Sequence, residues 1–272
     1  MAFVIDAYLR RIGLATPPAA DLAGLALLAR AHIVSVPFEN LDIGAHRPLS
    51  LEVAALEAKL VGAGRGGFCY ELNGLFAVLL EALGFRVTRL AAETWDAGSA
   101  GWGPPLDHLV LRVDLDDPVI VDVGFGDTFR SPLPLRPGAV GPDELGRTFE
   151  LRPDGDRLAL FEQTDPSRDP IPQYRFGLEP YALDDFRAMC RYQETQSPHF
   201  TGHRMVSVAT ADGRRTIWDD RFIVHAAGTR TERRVTDVEL PGLLREQFGI
   251  AWPPDGQGRG AESWEAKVSF AK

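Results

Sequence analysis

The sequence predicts an α+β protein built in three consecutive segments, helical over 1–85, strand-rich over 86–195 and mixed over 196–272. Three observations carry that expectation. Leu72, Leu75, Phe76, Leu79, Leu80 and Leu83 recur at the spacing of a helix with a broad buried face. From Arg86 the pattern switches to short runs rich in branched residues, with turn signals between them. Beyond residue 196, strand-like runs give way to one more helical pattern over 237–248.

In the helical segment, 5–12 is a short amphipathic stretch ended by Gly13. Thr16 and Pro17 offer an N-cap and a first-turn proline for the next helix, which Leu22, Leu25, Leu28 and His32 line on one face. His32, near the C-terminal end of that helix, reads as a core or capping residue. Pro37-Phe38-Glu39-Asn40-Leu41-Asp42 leaves as an extended loop, and Ser50 opens a helix through Leu60. Gly64, Gly66 and Gly67 then bend the chain into the helix that carries Leu72 to Leu83, and Gly84 caps its end.

In the second segment, 86–90 alternates as a strand. A loop with Gly98, Gly101, Gly103, Pro104 and Pro105 follows, flanked by Trp95 and Trp102. The runs 107–113 and 119–126 come next, with Asp116-Asp117-Pro118 as the turn that pairs them in a hairpin. A second hairpin joins 147–152 to 157–162 through Pro153-Asp154-Gly155-Asp156. Short strands with such turns suggest a small barrel or sandwich. A helix over 180–193 closes the segment, with Cys190 near its end as a structural residue. In the third segment 205–209, 216–218 and 222–225 are strands, joined by turns at Asp212-Gly213 and Asp219-Asp220. The helix over 237–248 tolerates Pro241 only in its first turn, and Gly256-Gln257-Gly258-Arg259-Gly260 forms a flexible tail.

The 272 residues suffice for one large domain or two to three small ones, and 45% apolar with 25% charged is ordinary for a soluble globular chain. The formal charge of −9 argues against general nucleic-acid binding, which wants a basic face. Positive charge is nearly all arginine, the lysines being Lys59, Lys267 and Lys272. Asp6, Arg10 and Arg11 break the apolar start, so no signal peptide is expected, and the apolar run 22–31 is too short to span a bilayer. A cytoplasmic protein with no membrane partner is the expectation. His46, His199, His203 and His225 show no metal-ligand spacing, and no metal is expected.

The chemistry centres on Cys69, one of two cysteines, which follows the glycine turn and starts the buried helix. A helix N-terminus offers free N–H groups and partial positive charge, which favour thiolate. The plain alternative is a small core hydrophobe, but a core cysteine has no need of a flexible turn before it. A nucleophilic thiol needs a base and an orienting group. His108 at the start of one strand and Asp122 near the end of its hairpin partner supply both, and a carboxylate inside a Val/Ile run is costly to bury without a partner.

Arg65-Gly66-Gly67-Phe68-Cys69, Asp107-His108-Leu109 and Val121-Asp122-Val123-Gly124-Phe125-Gly126 resemble the signatures of the arylamine N-acetyltransferase family. Pro37-Phe38-Glu39-Asn40-Leu41-Asp42 resembles another, and all four stand in the family's order. The resemblance is strong over the first half and rests on length and layout thereafter. It implies an N-terminal helical bundle, a central β-barrel and a C-terminal α/β lid around a cysteine-protease-like triad core, with boundaries near 85 and 195. It also implies a Cys69–His108–Asp122 triad that takes an acetyl group from acetyl-CoA and passes it to the nitrogen of an arylamine or arylhydrazine. The partners would be that small-molecule acceptor and the CoA thioester; nothing sets the oligomeric state. Phe38, Trp95 and Phe125 would bind substrate, and Gly103 and Gly126 would lie beside the cofactor. Phe38 is equally a core residue, and Trp95 with Trp102 equally anchors a loop. Glu39 and Arg65, from separate motifs, are expected to pair and fix the turn before Cys69, the alternative being solvated charges.

Three groups of this kind do not separate transfer from hydrolysis. A cysteine hydrolase or peptidase uses the same triad, and an amide synthase of natural-product assembly is a nearer variant that the resemblance also covers. A binding module with a structural cysteine is the non-enzymatic alternative.

Overall fold

The structure, a computed structural model, describes residues 3–253; the expected glycine-rich tail at 256–260 lies outside them. The first helices are α1 (Ile5–Arg11) and α2 (Leu22–Ser35). Asp21 caps α2, its carboxylate accepting from the Gly24 N–H at 2.8 Å, so Thr16 is not the cap. The reason is local: Pro18 disfavours helical geometry at Pro17. A two-residue strand β1 (Phe38–Glu39) and α3 (Leu41–Gly44) follow. α4 (Val53–Glu57) begins three residues after Ser50, whose Oγ instead accepts from the Glu52 N–H, and it continues as a π-helical turn over Ala58–Gly62.

The central helix α5 (Cys69–Ala82) stops before Gly84, which takes a left-handed φ of +93°. Leu72, Leu75, Phe76, Leu79 and Leu80 are fully buried, each contributing about 1.5–3 kcal/mol of apolar burial. α5 packs on β2 (Arg86–Asp96) and β4 (His108–Asp114), with the short β3 (Gly101–Trp102) between them in sequence. The helix start therefore meets the start of β4.

β5 (Val119–Val121) pairs antiparallel with β4, Leu111 opposite Val121, which is the expected hairpin. β6 (Leu133–Pro134), β7 (Val140–Pro142), β8 (Thr148–Asp154), β9 (Arg157–Gln163) and β10 (Ile171–Phe176) complete a sheet ordered β6-β5-β4-β2-β10-β9-β8-β7. Its end strands β6 and β7 approach one another, so the sheet nearly closes into the expected barrel. Its lumen is filled by Leu90, Val110, Ile120, Phe149, Leu160 and Phe176.

The helix expected over 180–193 is a 3-10 turn, Leu183–Phe186, running into α6 (Arg187–Thr195), because the Asp185 carboxylate holds the Ala182 N–H at 2.8 Å. α7 (Pro198–Gly202) leads to β11 (Met205–Thr210), β12 (Gly213–Trp218), β13 (Arg221–Ala226) and β14 (Thr229–Arg234), then α8 (Leu240–Phe248) with Pro241 in its first turn. This second sheet runs β1-β11-β12-β13-β14, so its edge strand β1 comes from the N-terminal segment. None of the described helices is long and apolar enough to cross a membrane.

Candidate active site

The turn before Cys69 is clamped by the loop around β1. Glu39 N–H donates to the Gly67 carbonyl at 2.8 Å, and a Cβ on Gly66 would stand 2.0 Å from the Pro37 carbonyl oxygen. Only glycine allows that approach. Tyr70 then reaches across to β4, its hydroxyl donating to the carbonyls of Leu106 at 2.7 Å and Asp107 at 3.0 Å. The Cys69 turn and the His108 strand are thus tied by contacts that need no ligand.

His108 Nε2 and Asp122 Oδ2 are 2.7 Å apart in a buried pair. The other carboxylate oxygen accepts from Asn73 Nδ2 at 2.8 Å, the Gly124 N–H at 2.9 Å and the Phe125 N–H at 3.1 Å. Burial works against ionising Asp122, but His108, Asn73 and Gly124 outweigh it and hold the carboxyl below its usual range. An ionised carboxylate can only accept, so Nε2 carries the hydrogen and Nδ1 is left as the basic nitrogen. Gly124 packs against the helix start, where a Cβ would lie 2.7 Å from Asn73 Nδ2 and 2.9 Å from the Cys69 carbonyl oxygen.

Cys69 is 5% exposed. Burial pushes its thiol well up, Asp107, Cys190 and Asp122 push the same way, and only the Tyr70 N–H pulls back. The helix-start N–H pulls toward thiolate, as the sequence suggests, but burial pushes harder the other way. Desolvation of a lone thiolate is the larger effect.

Behind the helix start lies a continuous charge network. Arg65 donates to Glu39 Oε1 through Nη2 at 2.6 Å and Nε at 3.0 Å, and to Asp42 Oδ1 at 3.2 Å. Lys59 Nζ lies 2.8 Å from both Asp42 Oδ2 and Glu71 Oε1, and Glu71 Oε2 accepts the Phe68 N–H at 3.1 Å. Burial works against the Lys59 ammonium, yet Glu71, Glu39 and Asp42 hold its pKa above the lysine range. Arg65 also lies 4.8 Å from the Trp252 ring. Glu39 and Arg65 are buried, not solvated.

A cavity of about 1290 Å³ opens on Cys69 and His108. That exceeds the usual volume of a pocket for one drug-sized ligand. Its walls come from all three segments: Phe38 and Cys69, then Trp95, Gly103, Phe125 and Gly126, then Ser207 and Trp218. The sequence profile of the N-acetyltransferase family matches residues 21–254. The chain is 37% identical to an arylamine N-acetyltransferase of Mycolicibacterium smegmatis over 92% of this chain and 93% of that one. It is 32% identical to one from Escherichia coli K12, over 92% and 90%. The chain belongs to the arylamine N-acetyltransferase family. The solved M. smegmatis arylamine N-acetyltransferase superposes with a TM-score of 0.87 at 34% identity, over 97% of this chain and 98% of that one. The Mycobacterium marinum enzyme in complex with CoA superposes with a TM-score of 0.86 at 30% identity, over 97% and 98%.

In this arylamine N-acetyltransferase homologue, the cavity gathers Phe38, Trp95, Phe125, Gly103 and Gly126 around Cys69 and His108. Trp95 and Trp102 pack edge to face at 5.0 Å, so Trp95 anchors its loop and lines the cavity at once. Three residues at the site lie outside the sequence expectations. Asn73 bridges α5 to the hairpin, donating to the Leu109 carbonyl at 2.6 Å and accepting the Val123 N–H at 2.9 Å. Its signal was its place four residues after Cys69, on the same helix face. Tyr174 packs its ring 5.1 Å from those of His108 and Phe125, and its buried hydroxyl has no hydrogen-bond partner in good geometry. Gln193 on α6 lines the same cavity. Among the described residues there is no cluster of three or more metal-ligating side chains.

Proposed function

We infer that the chain moves an acetyl group from acetyl-CoA, through acetyl-Cys69, to the nitrogen of an arylamine or arylhydrazine. The observation that carries this reading is a thiol and an imidazole with a free basic nitrogen lining one cavity, with a buried carboxylate 2.7 Å behind the imidazole, in a chain of this family. A buried lone thiolate is disfavoured, so the proton stays within the site. His108 Nδ1 takes it from Cys69, Asp122 stabilises the imidazolium, and the ion pair forms where neither charge would form alone.

The thiolate attacks the thioester carbonyl, the CoA sulfur leaves, and His108 returns its proton to that sulfur. The amine then attacks acetyl-Cys69, neutral His108 takes a proton from its nitrogen, and Cys69 departs as thiolate. The Tyr70 N–H at the helix start faces the charge that develops at this junction. Two half-reactions at one nucleophile give ping-pong kinetics. In this division, the helical segment 1–85 supplies the nucleophile, 86–195 supplies the base and carboxylate, and the described part of 196–272 covers the cavity. Glu39 and Arg65 hold the turn, and Phe38, Trp95 and Phe125 wall the acceptor, with Gly103 and Gly126 giving the CoA arm close backbone approach.

Incubation with acetyl-CoA, followed by peptide mass spectrometry, tests the reading. The expected result is one acetyl group on Cys69 and CoA release that continues only when an arylamine is supplied. Peptide cleavage without use of CoA, or an unmodified Cys69, sinks it.

A further inference from the structure

Asp107 immediately precedes the triad histidine, and its carboxylate lines the cavity beside Cys69. Thr94 Oγ1 donates to Asp107 Oδ2, and Gln193 Nε2 donates to Oδ1 at 2.5 Å. No lysine or arginine pairs with it among the described residues, whereas Glu39, Asp42, Glu71 and Glu93 each meet one. Two hydrogen bonds leave lone pairs on both oxygens unused. Gln193 carries an independent sign of an unfilled site. It is 4% exposed, and its Oε1 is buried with no donor among the described residues. The amide cannot be turned to satisfy it, because Oε1 would then face the Asp107 carboxylate. A buried acceptor left open costs free energy unless something arrives to fill it.

We propose that Asp107 and Gln193 form the seat for the acceptor's nitrogen, receiving its two N–H groups while the lone pair points at the acetyl carbon of acetyl-Cys69. This inference rests on the acetyl-transfer reading above. The chemistry selects a neutral nitrogen with two N–H donors, an aromatic amine or a hydrazine. A secondary amine with one N–H leaves one acceptor unfilled. An alkylammonium ion pairs with Asp107 but has no lone pair to attack with. Asp107 takes no proton. The C–N bond forms, the C–S bond breaks with its electrons on Cys69, and one N–H of the new cationic nitrogen leaves its seat on Gln193 to pass its proton to His108.

The test separates the half-reactions by using p-nitrophenyl acetate, a donor with no amide N–H, beside acetyl-CoA, and 4-methoxyaniline beside its N-methyl derivative. Asp107→Asn should lower kcat/KM for 4-methoxyaniline by roughly 10- to 100-fold, mainly through KM, the size expected for a hydrogen bond to a charged group. The fall should exceed any change in acylation by either donor. The preference for the primary over the N-methyl amine should shrink. Iodoacetamide labelling of Cys69 should move to lower pH in Asp107→Asn, because a neighbouring negative charge is gone. Gln193→Met, which removes the open acceptor and one donor to Asp107 but keeps the carboxylate charge, should show the same acceptor loss on a smaller scale. If acylation by acetyl-CoA alone falls, the seat holds the donor's amide and the proposal is wrong. If both variants handle 4-methoxyaniline within about threefold of the parent, or lose all steps together with thermal stability, it is also wrong. An unmutated protein that neither acylates nor turns over 4-methoxyaniline refutes the function instead.

Discussion

The two sides of the Cys69 turn are built on opposite principles. Behind it, Glu39, Arg65, Asp42, Lys59 and Glu71 form a chain in which every charge meets an opposite one within 3.2 Å. In front of it, among the described residues, Gln193 Oε1 is buried without a partner, Tyr174 Oη faces Asp122 without good hydrogen-bond geometry, and Asp107 has no cation. Asp107 is half-buried at the cavity wall, whereas Glu39, Arg65 and Glu71 are buried behind the turn. A closed network fixes geometry and gains nothing from a ligand, whereas an open one keeps a cost that a ligand removes. In the proposed function the back positions the sulfur, and the front does chemistry with it.

The largest expected effect tests that division directly. Cys69→Ala should reduce acetyl transfer by roughly 10⁴-fold or more, the usual scale for losing a nucleophile. It should cost only about 1–2 kcal/mol of stability, since a small buried group is trimmed. Paired kinetic and thermal-melting measurements check both halves. Loss of folding with loss of activity would merge the two sides and end the comparison.

Breaking the back should do the reverse. Arg65→Met leaves Glu39 and Asp42 buried without their shared cation, which costs about 3–5 kcal/mol. Urea unfolding measures it. Adding Glu39→Gln should recover part of that loss, because the orphaned charge is what costs. The prediction becomes sharper with thiol labelling. If the network only positions the turn, Arg65→Met should change Cys69 reactivity less than Asp107→Asn does. An Arg65→Met protein less than about 1 kcal/mol weaker would place these charges with ordinary surface pairs.

How much of this was legible in the sequence follows the same divide. Cys69, His108 and Asp122 stand in strong local signals, a glycine turn, a strand start and a carboxylate in an apolar run, and the structure brings the last two to 2.7 Å. Glu39 and Arg65 could be paired because each lies in a short dense motif. Tyr174 could not, because Pro172 interrupts its strand and the register slips between Pro172 and Tyr174, erasing the alternation that marks β10. Gln193 sits on a helix far from the motifs and matters only through the tertiary contact to Asp107. β1 is two residues long, below any periodic signal, yet it joins the N-terminal segment to the second sheet. Contacts set by topology left no trace in local pattern.

The smallest predicted effect concerns a third buried polar group, remote from both sides. His32 is fully buried in α2, its Nδ1 2.9 Å from the Tyr8 hydroxyl and its ring 5.2 Å from Phe76. Burial, with Arg11 adding repulsion, pushes its pKa down from 6.5 to about 3. The unfolded chain therefore binds a proton near pH 6.5 that the folded chain refuses. Stability from this site is complete above pH 6.5 and drains away as pH falls toward 3. At pH 5 the loss is about 2 kcal/mol, from 1.5 pH units at about 1.4 kcal/mol each. His32→Phe should flatten that part of the curve, while the acid loss from Asp122 and Asp42, both held below the usual carboxylate range, remains at lower pH. Urea midpoints at pH 7, 6 and 5 for both proteins decide it. Parallel curves would mean that the folded protein accepts the proton on His32 as readily as the unfolded chain does.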